Sequence, residues 1–352
     1  MNKIISFPHL GEYYIPIKYM LQKITNCKIV IPPKNTKRTI KLGSKYSPDD
    51  ICMPFKYNLG NYIESLEAGA NILIQGGGGC RYGYYGELQE QILKDLGYEF
   101  EFINLIKNNH ISIPKLYQSV KKINPQINIL KFTYYLIQGL LIIITMDNID
   151  KYVRENMCYE EVKGSFEELK KEYQKALNKK ELSITQILKT YINYKKEFKL
   201  IETKEKDPIK ILLIGELYSL IDIESSNHLE EKLLKEGIKV YRYTNLTYLL
   251  IIKKIMQKRV LYKSKKYLKY NLGADGTESV FRAKEHAETG IDGIIHIKSH
   301  GCVPEINAMS TLSKISEDYG VPILYLSFDG ENNISNIDTK IEAFKDMLNY
   351  RR

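Results

Sequence analysis

The chain has 352 residues, enough for two α/β domains that each bury a core. Hydrophobic residues at 43% and charged residues at 27% exclude a disordered chain, and five scattered cysteines exclude a disulfide-built secreted fold. The net charge of +10 accompanies 28 Tyr and no Trp, which reads as compositional bias; no RNA- or DNA-binding motif goes with it, so no nucleic-acid partner is expected.

The start, Met1 to His9, has no apolar stretch of signal-peptide length, so a cytoplasmic protein is expected. Strand-like runs follow at Ile4–Phe7, Lys28–Ile31, Asn71–Gln75 and Tyr98–Ile103. Helical patterns lie between them, at Tyr57–Glu67 and Gly86–Leu96. This alternation predicts βαβ units and a parallel sheet. From Pro114 to Thr203 the strand signal stops, and Phe166–Leu177 and Ile184–Phe198 read as amphipathic helices. They flank Phe132–Met146, whose 15 apolar-rich residues fall short of the roughly 20 that a bilayer span needs, so it is read as a buried helix and no membrane partner is expected. Strands return at Ile209–Ile214, Lys239–Tyr243, Gly293–Ile297 and Pro322–Ser327. The predicted fold is thus α/β: two flavodoxin/Rossmann-like open parallel-sheet domains, 1–113 and 208–352, joined by a helical segment, 114–207.

Open parallel sheets carry their functional groups beyond the carboxyl ends of the strands. Ile72–Gln75 runs directly into Gly76, Gly77, Gly78, Gly79, Cys80 and Arg81. Ile294–Ile297 runs into Lys298, Ser299, His300, Gly301 and Cys302. Cys52 precedes Met53-Pro54, a loop-to-helix entry whose free N–H groups favour a thiolate. The glycine run lacks the Lys-Ser/Thr of a P-loop and the spacing of a dinucleotide fingerprint. It suits either a phosphate cradle or a close backbone approach to something bulky, such as a metal cluster. Three loop cysteines without paired C-x-x-C spacing fit a zinc site poorly. They suit a [4Fe–4S] cluster held by three thiolates, and burial as small hydrophobes is the alternative.

The segments CMPFK (52–56), GGGGCRYGYYGE (76–87), GELYSLID (215–222) and HGCVPEINAMS (300–310) resemble the 2-hydroxyacyl-CoA dehydratase subunit family, in its D-component branch and the proteins related to acyl-CoA dehydratase activases. The later segments 321–333 and 340–348 suit its closing strand and helix. The resemblance implies a single [4Fe–4S] cluster between the domains on Cys52, Cys80 and Cys302, in a pocket shaped by Gly76–Gly79 and Arg81. It also implies an ATP-dependent iron–sulfur activator protein as electron donor, a paralogous dehydratase subunit or self-association, and an acyl-CoA thioester substrate. That substrate would be dehydrated through a ketyl radical. A double-cubane relative would need about six cysteines, at three per cubane. This chain has five, and Cys27 and Cys158 lie in segments that read as structural.

Three further features are open to two readings. His300 stands where a hydrophobic aromatic is expected, and could touch the cluster or only pack in the loop. Glu305 could accept a proton or serve as dipole partner at the next helix. Lys253–Lys269, with eight Lys/Arg and no acid, could meet the phosphates of coenzyme A or form a solvated helix face. Glu278 and Ser279 precede the helical pattern Val280–Thr289 and read as caps. A non-catalytic electron relay, or a metal-free phosphate-binding protein, are the alternative functions.

Overall fold

The computed structural model describes residues 2–77, 80–107, 110–328 and 334–352. Two compact units make up the chain: Met1–Ile143 with Lys180–Ile184, and Ile144–Lys179 with Thr185–Arg352. The helices of the middle segment are shared out between them.

In the first unit β1 (Ile4–Ser6), β2 (Lys28–Ile29), β3 (Ile72–Gln75) and β4 (Glu101–Asn104) form an all-parallel sheet in the order β2-β1-β3-β4. The two-residue strands β5 (Ile106–Lys107) and β6 (His110–Ile111) pair antiparallel beside it in sequence. All four residues of β3 are buried, because helices cover both sheet faces. Alternation along the strand divides them. Ile72 and Ile74 join Ile5, Ile24, Ile103 and Phe132 in one core layer, and Leu73 joins Phe55, Leu59, Tyr62 and Leu93 in the other.

The second unit repeats the plan with β7 (Lys210–Gly215), β8 (Lys239–Tyr241), β9 (Gly293–Ser299) and β10 (Ile323–Phe328), all parallel in the order β10-β9-β7-β8. Every residue of β9 is buried. Leu212, Ile214 and Ile294 pack against Val280 and Ala283 of the helix Gly276–Ala287, and against Ala308, Leu312 and Ile315 of the helix Val303–Tyr319.

The chain is therefore α/β with two parallel four-stranded sheets, as its alternating pattern predicts. In each sheet the first strand lies between the second and third. The winding reverses there, leaving a crevice past the carboxyl ends of β1 and β3 in one unit and of β7 and β9 in the other.

The apolar stretch expected as a 15-residue helix belongs to one of 28 residues, Ile129–Asn156. The apolar signal stops at Met146 because the helix continues through polar side chains that the second unit partners: Asp147 accepts the Thr247 N–H at 2.8 Å, and Arg154 lies 3.7 Å from Glu230. Ile129–Tyr159 is long and apolar enough to cross a bilayer by length and composition, and 39% of its most apolar window is buried within the protein. Inside that apolar part Gln138 donates to the Leu182 carbonyl.

Candidate functional site

In the first unit the sequence after β3 turns on Gly77, whose φ of +147° is open to glycine. A Cβ there would lie 2.2 Å from the Tyr82 ring, so this residue type lets the loop lie flat on the phenol. Tyr82 is held at three points. Its hydroxyl accepts from Asn58 Nδ2 (2.6 Å), its carbonyl accepts from Gln75 Nε2 (3.3 Å), and its N–H points at Cys80 Sγ (3.4 Å). Cys80 caps the short 3₁₀ helix Arg81–Tyr84, which leads into the helix Tyr85–Asp95. Arg81 is exposed.

Cys52 is the N-cap of the helix Met53–Glu67, with Pro54 in the first turn as the sequence predicts. That helix leads back into β3, so its N-terminus lies at the carboxyl edge of the sheet. Cys52 Sγ is 2.5 Å from the Tyr85 hydroxyl, and both residues are buried. Burial first, then the neighbouring Cys52, holds the Tyr85 phenol far above its ordinary range, and Cys80 adds to the effect. The Tyr85 phenol thus stands beside the Cys52 thiol and within electrostatic reach of Cys80. Gly78 and Gly79, expected to shape the pocket, lie outside the described residues, as do residues 329–333 of the closing segment.

In the second unit Gly215 ends β7 with a φ of +132°, and a Cβ there would meet the Ile297 carbonyl oxygen at 1.8 Å. This close passage sets Glu216 against the end of β9, where its carboxylate accepts from the Ser299 N–H (2.8 Å) and from Ser219 Oγ (3.2 Å). Burial pushes Glu216 up to about 7, against those two hydrogen bonds, with Asp275 and Glu305 pushing further. Cys302 is the N-cap of the helix Val303–Tyr319. Burial lowers the Lys298 ammonium, while Cys302, Glu216 and Glu305 oppose that effect electrostatically.

Glu305 lies in the first turn of its helix, where a carboxylate suits the dipole, but its side chain turns inward and is fully buried. It accepts from Ser279 Oγ at 3.2 Å and pairs with His296 Nε2 at 2.7 Å. His296 Nδ1 is buried with no hydrogen-bond partner among the described residues. Ser279 is therefore not a cap: the helix begins at Gly276, with Asp275 at its N-cap, and Asp275 accepts from Leu217 N–H and pairs with Lys253. Glu278 likewise faces Lys253, at 3.5 Å. The first lysine of the basic stretch is thus engaged with acids rather than solvated. His300 is exposed.

The sequence pattern points to the three cysteines, Gly78, Gly79, Arg81, His300 and Glu305 and gives no role to Tyr82, Tyr85, Glu216, His296 and Lys298, which the structure sets at the same strand ends. Two signals were present. His296 and Lys298 interrupt an otherwise apolar buried strand, and Glu216 directly follows β7. Cys27 is half-buried, with its Sγ toward the Thr25 carbonyl, and Cys158 is buried with a raised thiol.

Among the described residues of either unit, no three His, Cys, Asp or Glu side chains come together as a metal site. Of the three predicted ligands, Cys52 and Cys80 belong to the first unit and Cys302 to the second. Their chemistry suits a thiolate-bound centre: each of the three occupies the N-cap position of a helix, and Cys52 and Cys80 have a phenol and an N–H directed at sulfur. No protein-family model matches the chain, and no curated protein matches it.

Proposed function

We propose that the chain is an iron–sulfur protein of the 2-hydroxyacyl-CoA dehydratase type, with Cys52, Cys80 and Cys302 as the ligands of one [4Fe–4S] cluster. One observation carries the reading: all three cysteines are helix N-caps beyond the carboxyl edges of two sheets with the same strand order. An N-terminal helix dipole and its free N–H groups favour the thiolate, the form that binds iron. When bound, such a cluster supplies a one-electron store and, at an iron without a cysteine ligand, a Lewis acid for a substrate oxygen.

The protein's own residues have distinct parts in this reading. Tyr82 pins the glycine loop and so fixes Cys80. Glu305, tied to His296 on β9 and to Ser279 on the neighbouring helix, fixes the helix that Cys302 caps. Lys298 supplies a positive charge near Cys302, and Arg81, exposed beside Cys80, supplies another for an anionic acyl-CoA thioester. An ATP-dependent iron–sulfur activator would deliver the electron, and the reading places the protein in the cytoplasm.

A second reading, a non-catalytic electron relay, is favoured by the burial of Glu305, which withdraws the acid nearest Cys302 in sequence from any substrate. Iron and acid-labile sulfide after anaerobic purification test both readings: about four of each per chain are expected. Their absence after reconstitution would leave the phosphate-binding alternative. With iron present, consumption of a 2-hydroxyacyl-CoA in the presence of activator separates enzyme from relay.

A further inference from the structure

We infer that Tyr85 is a positioning residue for the metal centre, its hydroxyl donating a hydrogen bond to the Cys52 sulfur and thereby raising the centre's reduction potential. The inference rests on the iron–sulfur reading above. Its geometric basis is the 2.5 Å approach of the Tyr85 hydroxyl to Cys52 Sγ, with both groups buried. A ligating thiolate has no proton to give, so the phenol is the donor.

The ring has little freedom to leave. It packs nearly perpendicular to the Phe55 ring at 5.0 Å between centroids, and the tilted Tyr82 ring lies at 5.3 Å. The next residue, Gly86, is pressed onto the strand ends: a Cβ there would stand 2.8 Å from Gln75 Oε1 and 3.0 Å from Asn104 Nδ2. The segment that carries Cys80 therefore also carries the donor to Cys52. Adding an electron makes ligand sulfur a stronger acceptor, so a fixed donor stabilises the reduced state over the oxidised one.

The test is the midpoint potential of the anaerobically reconstituted protein, read by visible and electron paramagnetic resonance titration. Tyr85→Phe is expected to keep its iron and to shift the reduced-to-oxidised ratio about tenfold toward oxidised at the wild-type midpoint, a fall of about 59 mV for one electron. Tyr19→Phe removes a buried hydroxyl of the same unit that donates to the Leu182 carbonyl (3.0 Å) rather than to sulfur, and is expected to leave the midpoint unchanged. An unchanged midpoint in Tyr85→Phe at full iron content, or an equal fall in Tyr19→Phe, overturns the inference. If Tyr85→Phe does not hold iron, 3-fluorotyrosine at position 85 replaces it. That stronger donor is expected to raise the midpoint, and no rise overturns the inference. A wild-type chain that takes up no iron overturns the parent reading instead.

Discussion

The two sheets share a strand order, yet their carboxyl edges surround cysteine in opposite ways. In the first unit the groups hydrogen-bonded at Cys52 and Cys80 are uncharged, the Tyr85 phenol and the Tyr82 N–H, with Asn58 and Gln75 behind them and the exposed Arg81 next to Cys80 in the chain. In the second, Cys302 stands among ionisable groups, Glu216, Glu305, His296 and Lys298. The fold decides where the thiols stand, and the residues at the strand ends decide what medium they stand in. The neutral edge holds its geometry by hydrogen bonds that cost little to satisfy. The charged edge holds its geometry by burying groups that must be matched with partners.

The largest expected effect treats the two edges alike. Replacing Cys52 or Cys302 by Ala is expected to remove nearly all bound iron, whereas Cys27→Ala keeps it; full iron in the Cys302→Ala protein would remove Cys302 from the ligand set. The remaining predictions pull the edges apart. Glu305→Ala leaves Ser279 and His296 without their buried partner and is expected to cost about 3 kcal/mol, from about 1–3 per stranded group. Denaturant unfolding of the second unit measures it.

Glu216 gives that edge a pH dependence. Its carboxyl ionises near 7 when folded, against an ordinary 4.5, so the folded state holds the extra proton between those values. Stability is therefore expected to fall as pH rises from about 4.5 to 7, by about 3 kcal/mol at most, and to be flat from this group outside that window. Glu216→Gln keeps an acceptor for Ser299 and removes the slope. Equal slopes in the two proteins would assign the effect elsewhere. The smallest effect belongs to the neutral edge: Asn58→Ala removes the amide donor to the Tyr82 hydroxyl and is expected to cost about 1 kcal/mol with no pH dependence. A cost as large as that of Glu305→Ala would erase the contrast.

Much of the plan was legible in the chain itself. The eight strands of the two parallel sheets appear as short apolar runs, their ends displaced by a few residues at most. Cys52 is marked as a helix entry by Pro54, and Cys302 by Pro304. These are local signals, arising from sterics and from the period of burial, and they survive in a one-dimensional reading. The length of the helix Ile129–Asn156 was not legible, because its second half is polar and is buried by partners distant in sequence.

The sequence by itself determined the fold class, the places of Cys80 and Cys302 just past strand ends and the helix entry at Cys52, because strand period and proline both act within a few residues. Only the tertiary structure decided what meets those entries. Tyr85 reaches Cys52 across 33 residues, Ser279 reaches Glu305 across 26, and Glu216 reaches Ser299 across 83. No local rule pairs such residues. They meet because parallel strands need long crossovers, which bring the ends of distant segments to one edge of the sheet.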